Sequence, residues 1–160
     1  MKIPLIYIKD KQVFTKKQGI LKFIGKPIDI AKKLQEDGYK LIHIVDEDAL
    51  SGFSTNFDVY DSLTYFINIQ VECAPKAELV KKLLSVRARV VISPGKLDLS
   101  GIKEKNLMVA KIKGKTDASL QDFHDLILED EEAIKEYSDS GKRIMLYEKG
   151  KAWGIIISSF

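Results

Sequence analysis

Short apolar runs recur along the whole chain, and several of them are apolar almost throughout instead of alternating with polar residues. Strands that are buried on both faces, as in a parallel sheet, have this pattern. Segments with helical periodicity separate the runs, so the sequence predicts βαβ units, which are right-handed almost without exception. The predicted strands are 3–8, 41–45, 67–71, 88–93, 106–112, 143–148 and 152–159.

The predicted helices have recognisable ends. Pro27 suits the first turn of a helix, and Gly38 is the kind of residue that ends one. Asn56 is a candidate N-cap for the second helix, and the apolar residues of 79–84 share one face of the third. The segment 119–141 predicts one long helix or two short ones.

The first and last connections differ from the others. Residues 8–26 predict a strand that continues into an exposed hairpin before the first helix. Only residues 149–151 separate the last two apolar runs, whereas parallel neighbours need a crossover of about a dozen residues. The sequence therefore predicts an antiparallel hairpin at the C-terminus, with Gly150 in its turn.

Composition narrows the class of protein. The formal charge of the 160 residues is +3 and the lysines are scattered, which argues against a nucleic-acid partner. No apolar run approaches the roughly 20 residues needed to span a bilayer, so no membrane partner is expected. The single cysteine, Cys73, excludes an internal disulfide and a cysteine-rich metal site. We therefore expect a cytoplasmic protein without a metal or another cofactor.

Several segments occur in an order that is typical of one family. They are IPLIYIKDKQV (3–13), KPIDIAKKLQEDGYKLIHIVDEDAL (26–50), the spacing of Gly52 and Asn56, and INIQVECAPKAELVKKLLSVRARVVISPGKL (67–97). Together they resemble the first four strands of the histidine-biosynthesis (βα)8 barrels. These are the phosphoribosylformimino-carboxamide ribotide isomerase, called the ribotide isomerase below, and the cyclase subunit of imidazole glycerol phosphate synthase. The resemblance covers about residues 2–112.

The resemblance implies an α/β fold that is a truncated or open form of the (βα)8 barrel, or TIM barrel. A full barrel needs at least about 200 residues, so we expect about five parallel strands plus the C-terminal β-hairpin. We expect a single domain, 1–160, with barrel-like βα units in 1–112 and a helix and terminal hairpin in 113–160. An open barrel exposes two strand edges, which predicts a homodimer.

The resemblance also identifies the positions where this family keeps its chemistry. The ribotide isomerase uses carboxylates at the ends of strands 1 and 5 as base and acid, and this chain has Tyr7 and Lys111 there. A tyrosine with an ordinary pKa of about 10 is a poor base at neutral pH. Glu72, Cys73 and Ala74 replace the family's phosphate-binding glycines after strand 3. The resemblance leaves Ser93 and Gly95, after strand 4, as the candidate phosphate-binding residues.

Polar residues at the strand ends have alternative interpretations. Asp46 ends strand 2 on the face where (βα)8 barrels keep their active sites, so it is either a catalytic acid or a structural acid of the strand end. Glu72 and Lys111 either form an ion pair or take part in chemistry. His43 is either packed and hydrogen-bonded or a general base, and Cys73 is either a bystander or a reactive thiol.

Three functions are compatible with these residues. The first is a divergent relative of the isomerase, without isomerase activity, that binds a phosphorylated small molecule such as a sugar phosphate, or another protein. The second is a sugar-phosphate isomerase or related histidine-biosynthesis enzyme with a remodelled site. The third is a structural or assembly partner of another enzyme.

Overall fold

The structure, a computed structural model, describes residues 1–160 and contains ten β-strands and five α-helices. The strands are β1 (Lys2–Lys9), β2 (Gln12–Lys17), β3 (Ile20–Gly25), β4 (Leu41–Asp46), β5 (Asn68–Glu72), β6 (Arg89–Ile92), β7 (Met108–Ile112), β8 (Asp125–Leu128), β9 (Arg143–Tyr147) and β10 (Gly154–Ile157). The helices are α1 (Pro27–Glu36), α2 (Glu47–Leu50), α3 (Phe57–Thr64), α4 (Ala77–Ser85) and α5 (Ile134–Tyr137), with 3₁₀ turns at Lys105–Leu107, Glu131–Ala133 and Ser138–Ser140.

Eight parallel strands form a closed barrel. The neighbours run from β1 through β4, β5, β6, β7, β8 and β9 to β10, and β10 pairs with β1 through the register Ile3↔Ile156. The (βα)8-like fold expected from the sequence is confirmed. The prediction of an open barrel with about five parallel strands is wrong, because all eight strand positions are present and the first and last strands meet.

Short connections explain how eight strands fit into 160 residues. Helices α1, α3 and α4 have 8 to 10 residues and cover the first part of the barrel. After β6, every helical element has only 3 or 4 residues. The chain is short because its later helical elements are short while all eight strands are present, so the argument from length to an incomplete barrel fails. The prediction of one long helix or two short ones across 119–141 is wrong for the first half, where the fully buried strand β8 lies, whereas 131–140 is helical and ends at Gly141.

The last two strands are parallel, so the predicted terminal hairpin is wrong as well. Gly154 is paired with Met145, the third residue of β9. The start of β10 therefore lies level with a point only two residues before the end of β9, so the connection has a short distance to cover. The six residues 148–153 can span about 20 Å when extended, which is enough. Positive φ values at Glu148 (63°) and Gly150 (123°) turn the backbone sharply. The expectation that parallel neighbours need about a dozen connecting residues does not hold here, because the offset between β9 and β10 shortens the distance that the connection must cover.

The expected hairpin after the first strand is present as β2 and β3, which continue antiparallel from β1. The cross-strand pair Thr15↔Lys22 places these two side chains on one face of the hairpin, whereas Lys16 and Leu21 share the other face. The hairpin thus forms a wall between two different surfaces, one at the end of the barrel and one beside α1.

Two apolar clusters stabilise the fold. A cluster of 32 buried residues lies between the strands and the covering helices. A smaller cluster of 8 buried residues fills part of the barrel interior: Ile3, Leu5, Leu41, Val91, Val109, Ile127, Met145 and Ile156. Polar side chains occupy other inward-facing positions of the interior. The longest α-helix has 10 residues, and no helix combines the length and the apolar character needed to cross a membrane.

Candidate functional site

The carboxyl ends of the eight barrel strands surround one opening, which we call the mouth. Glu72, the last residue of β5, points into it and is 6% exposed. Its Oε1 accepts hydrogen bonds from Lys111 Nζ at 2.7 Å and from His43 Nε2 at 3.0 Å. The Tyr147 hydroxyl donates to the same oxygen at 3.2 Å. Glu72 and Lys111 thus form an ion pair in the mouth, one of the two interpretations that the sequence allows.

The hydrogen bonds define the state of His43, which is fully buried. Its Nε2 faces a carboxylate oxygen and must carry the hydrogen, while its Nδ1 lies 2.8 Å from Gln70 Nε2, a donor. Only the neutral imidazole with a protonated Nε2 satisfies both contacts. His43 is therefore packed and hydrogen-bonded, and it has no free nitrogen to act as a general base.

The polar contacts continue to the opposite end of the barrel. Arg89 Nε donates to Gln70 Oε1 at 3.4 Å, and the Arg89 guanidinium contacts the fully buried Asp125. Arg143 holds Asp125 with two hydrogen bonds of 2.7 and 3.0 Å. We call this series of hydrogen-bonded side chains the polar network; it runs from Lys111 through Glu72, His43, Gln70, Arg89 and Asp125 to Arg143. No buried side-chain nitrogen or oxygen lacks a hydrogen-bond partner, so the polar network is fully satisfied.

The charges in the mouth fix the protonation states. Burial by itself raises the pKa of Glu72, but the hydrogen bonds from His43 and Lys111 and the Lys111 charge outweigh it and lower the pKa. Burial and the Glu72 charge raise the pKa values of Tyr7 and Tyr147. At neutral pH the carboxyl group is therefore ionised and both phenols are protonated. None of these three groups gains and loses a proton near neutrality.

Asp46 has a structural environment. It is 1% exposed, and it faces the covering helices instead of the mouth. Its Oδ1 accepts the backbone N–H of Asp48 at 2.9 Å, and its Oδ2 accepts Asn56 Nδ2 at 2.8 Å and the Tyr60 hydroxyl. All these bonds tie α2 and the start of α3 to the end of β4. The structure therefore favours the structural alternative for Asp46.

Ser93 and Gly95 lie in the exposed turn after β6. Because Ile92 is paired with Ala110, Ser93 follows beside Lys111 on the neighbouring strand. Gly95 has φ +81°, and a Cβ there would meet the Ala118 Cβ at 2.9 Å. Phosphate binding at this turn stays a prediction.

Cys73 is buried, and its thiol is shielded. Burial, together with the neighbouring Glu72 charge, raises its pKa to about 12. A reactive cysteine needs the opposite environment, in which the thiolate is favoured. No group of three His, Cys, Asp or Glu side chains has an arrangement that could hold a metal ion.

A cavity of about 370 Å³ opens between the β2–β3 hairpin and the ends of β1 and β4. Its lining residues are Tyr7, Ile8, Lys9, Asp10, Lys16, Gly19, Leu21, Val45, Asp46, Glu47 and Asp48. Tyr7 lies at the border between this cavity and the mouth: Lys16 Nζ is 5.3 Å from the centre of its ring, and burial and the Glu72 charge raise the pKa of its phenol. The cavity offers the ammonium groups of Lys9 and Lys16 on one side and carboxylates from α2 on the other.

Sequence reasoning missed Tyr147, Gln70, Arg89, Asp125 and Arg143 as parts of the site. The available signal was alternation: Gln70 and Glu72 are two residues apart, so they face the same side of β5. Arg89, Asp125 and Arg143 each begin a strand, but a lone polar residue at the start of an apolar run is usually solvated. Only the closed barrel brings these starts together.

A closed (βα)8-like barrel with its polar site at the carboxyl ends of the strands defines the structural class of this chain. No protein-family model matches it. Among curated proteins, an uncharacterized protein of Methanocaldococcus jannaschii is 30% identical over 122 residues, covering 68% of this chain and 54% of that protein.

Further relatives carry the name 1-(5-phosphoribosyl)-5-((5-phosphoribosylamino)methylideneamino) imidazole-4-carboxamide isomerase, which is the ribotide isomerase. The one from Nitrosopumilus maritimus is 34% identical over 97 residues, covering 56% of this chain and 41% of that enzyme. The one from Pelagibacter ubique is 30% identical over 117 residues, covering 68% and 47%. The chain spans about half the length of the curated relatives it matches. The resemblance is confirmed: the chain is a divergent relative of the ribotide isomerases.

Proposed function

We propose that this chain is a cytoplasmic, isomerase-like barrel that does not isomerise and whose mouth binds a phosphorylated small molecule, with a sugar phosphate as the simplest candidate. The observation that carries the proposal is the replacement of the family's two carboxylates by Tyr7 and Lys111, together with the pairing of Glu72 to Lys111.

Loss of isomerase activity follows from the proton chemistry of an aldose–ketose shift. One group must remove a proton and another must deliver one, and both need pKa values near the working pH. Burial and nearby carboxylates raise the pKa of Tyr7, so its phenol stays protonated. The Lys111 ammonium is held by Glu72, and the pKa of the Glu72 carboxyl group is lowered, so this group stays ionised. Neither a base nor an acid is in place.

Binding is supported by the shape and charge of the mouth. The cavity of about 370 Å³ lies within the usual range for small-molecule sites. Lys9 and Lys16, which line the cavity, supply cations for a phosphate, and Lys111, whose side chain is 26% exposed, lies in the adjoining mouth. Glu47 and Asp48 supply acceptors for sugar hydroxyl groups on the other side of the cavity.

Genetic complementation tests the loss of isomerase activity. We expect that the chain, expressed in a bacterial strain lacking its own ribotide isomerase, does not restore growth without histidine. A plasmid carrying an authentic ribotide isomerase is the positive control, and an immunoblot shows that both proteins accumulate. Growth without histidine would overturn this half of the proposal and favour the remodelled enzyme.

A thermal-shift titration tests binding, with ribose 5-phosphate as the probe. A ligand at about 100 times its dissociation constant adds ~2.7 kcal/mol, which raises the melting temperature of a domain this size by about 5–10 °C. We expect Lys111→Met to reduce the ligand-induced shift and Lys135→Met, at an exposed position on α5, to leave it unchanged. No shift with the native chain would contradict binding of a sugar phosphate and favour a structural role.

A further inference from the structure

A second cavity of about 370 Å³ lies on the outside of the barrel, away from the strand ends. Its walls are the hairpin face opposite the mouth, helix α1 and the three residues after β10. The lining residues are Thr15, Lys16, Lys17, Lys22, Ile24, Ile30, Lys33, Leu34, Asp37, Ser158, Ser159 and Phe160. We call this cavity the lysine groove.

The charge of the lysine groove is concentrated and uncompensated. Lys17, Lys22 and Lys33 and one aspartate line it, a formal charge of +2, and a fourth lysine, Lys16, is shared with the mouth cavity. None of the four lysines forms an ion pair, whereas four lysines elsewhere do: Lys11, Lys105, Lys111 and Lys115. The scattered distribution inferred from the sequence is therefore wrong at this place, because the hairpin and α1 bring distant lysines to one cavity.

The lysine groove also has an apolar component. Ile24, Ile30 and Leu34 contribute aliphatic side chains to it. Phe160 is 44% exposed, and its ring packs edge-on against Tyr39, with 6.4 Å between the centroids. An aromatic ring that is fixed on one side and open on the other is a stacking platform.

We propose that the lysine groove binds a small polyanion that carries an aromatic ring, such as a nucleoside diphosphate. The phosphates lie among Lys17, Lys22 and Lys33, and the base packs on the apolar wall near Phe160. This site is separate from the mouth: Thr15 and Lys22 lie on the hairpin face opposite to Lys16 and Leu21, which face the mouth cavity. The inference does not depend on the proposed function.

A compact ligand fits better than a nucleic acid. The cavity has the volume of a single small molecule. The exposed acids Glu36 and Asp37 end helix α1 at the border of the groove. A longer phosphate backbone that leaves the groove on this side would meet their negative charge, whereas a nucleotide ends before it.

Calorimetric titration of the full chain with ADP and with inorganic pyrophosphate tests the proposal. We expect saturable ADP binding at millimolar concentration or below, and weaker binding of pyrophosphate, because pyrophosphate lacks the ring. Lys22→Glu and Lys33→Glu should each weaken ADP binding by about tenfold or more through charge reversal. Lys135→Glu, which makes the same charge change at an exposed position on α5, should leave it unchanged. Circular dichroism verifies that each variant is folded.

Two further variants locate the ligand and its ring. Phe160→Ala should weaken ADP binding and leave pyrophosphate binding unchanged. Lys111→Met should leave ADP binding in the groove unchanged. Loss of sugar-phosphate binding in the mouth can therefore be distinguished from loss of ADP binding in the groove. Absence of saturable ADP binding up to about 5 mM, equal losses in Lys22→Glu and Lys135→Glu, or loss in Lys111→Met would overturn the proposal. Binding of a single-stranded RNA oligomer that depends on Lys22, without ADP binding, would overturn it in favour of a nucleic-acid site.

Discussion

Lys111 Nζ lies 2.7 Å from Glu72 Oε1, and the two side chains come from strands β7 and β5, which are separated by β6. The ion pair therefore crosses the inside of the barrel at the mouth. It leaves the mouth with an ionised carboxylate whose charge is balanced by the Lys111 ammonium. The same pair makes the stability of the fold depend on pH.

Stability should fall in acid because of Glu72. Its folded-state pKa is lowered below 4.5, so its contribution is fully present above about pH 4.5 and is lost as the pH falls through the lowered pKa. Urea denaturation of native protein and of Glu72→Gln, followed from pH 6 to pH 2.5, measures the difference. A difference that stays constant with pH would contradict the lowered pKa.

Removal of the Asp46 carboxylate should destabilise the protein. Asp46→Ala leaves the buried Tyr60 hydroxyl and Asn56 amide without their acceptor, at a cost of about 2–4 kcal/mol. Asp48→Ala is the matched control, since Asp48 is exposed and should cost less than about 1 kcal/mol. Urea denaturation gives both values. A cost for Asp46→Ala as small as that of Asp48→Ala would contradict the structural role of Asp46.

Cys73 should be inert while the protein is folded. With a pKa of about 12, only about one thiol in ten thousand is ionised at pH 8, and the side chain is 4% exposed. Reaction with a chromogenic disulfide reagent should follow global unfolding in urea. A Ser159→Cys variant, with a second thiol at an exposed position, should show one fast-reacting thiol under native conditions. Fast reaction of the native chain would show that the strand end opens locally.

Local patterns in the sequence predict the first half of the fold. Runs such as 41–45 are long, apolar and flanked by helical segments, and they become buried strands. The sequence does not predict strand β8, because this strand consists of only four residues, Asp125–Leu128, between two polar stretches. The parallel direction of β10 cannot be predicted from the sequence, because it depends on the pairing of Gly154 with Met145 and no local pattern indicates this pairing.

The candidate site is predictable only in its separate parts. Glu72 and Lys111 are visible as strand-end charges, and the sequence allows their ion pair. Tyr147 donates to Glu72 from 75 residues away, so its contribution depends on β9 standing inside a closed barrel. Asp125 likewise meets two arginines that are 36 and 18 residues away, and no spacing in the sequence connects them.

The homodimer remains a prediction, but its structural basis changes. Closure of the barrel removes the two edges from which it was inferred, and β3 is left at the free end of the sheet. Ile20 is 72% exposed and Phe23 is 52% exposed on this strand, which makes it the expected contact. Light scattering at about 10 µM, a concentration typical for specific dimers, should give twice the monomer mass, and Phe23→Lys should reduce it. A monomeric native chain would contradict the prediction.

Gly154→Ala should test the closure of the barrel directly. A Cβ at Gly154 would lie 2.7 Å from Ile3 Cδ1 and 3.0 Å from Met145 Cγ, because β10 is inserted between β1 and β9. Overpacking of this kind costs about 1–3 kcal/mol. Gly101→Ala is the matched control: nothing lies within 4 Å of its added Cβ, and its backbone is not in a left-handed conformation. An antiparallel terminal hairpin would not put Gly154 beside Ile3, and both variants would then unfold at the same urea concentration. A clearly lower midpoint for Gly154→Ala alone is the result that the closed barrel requires.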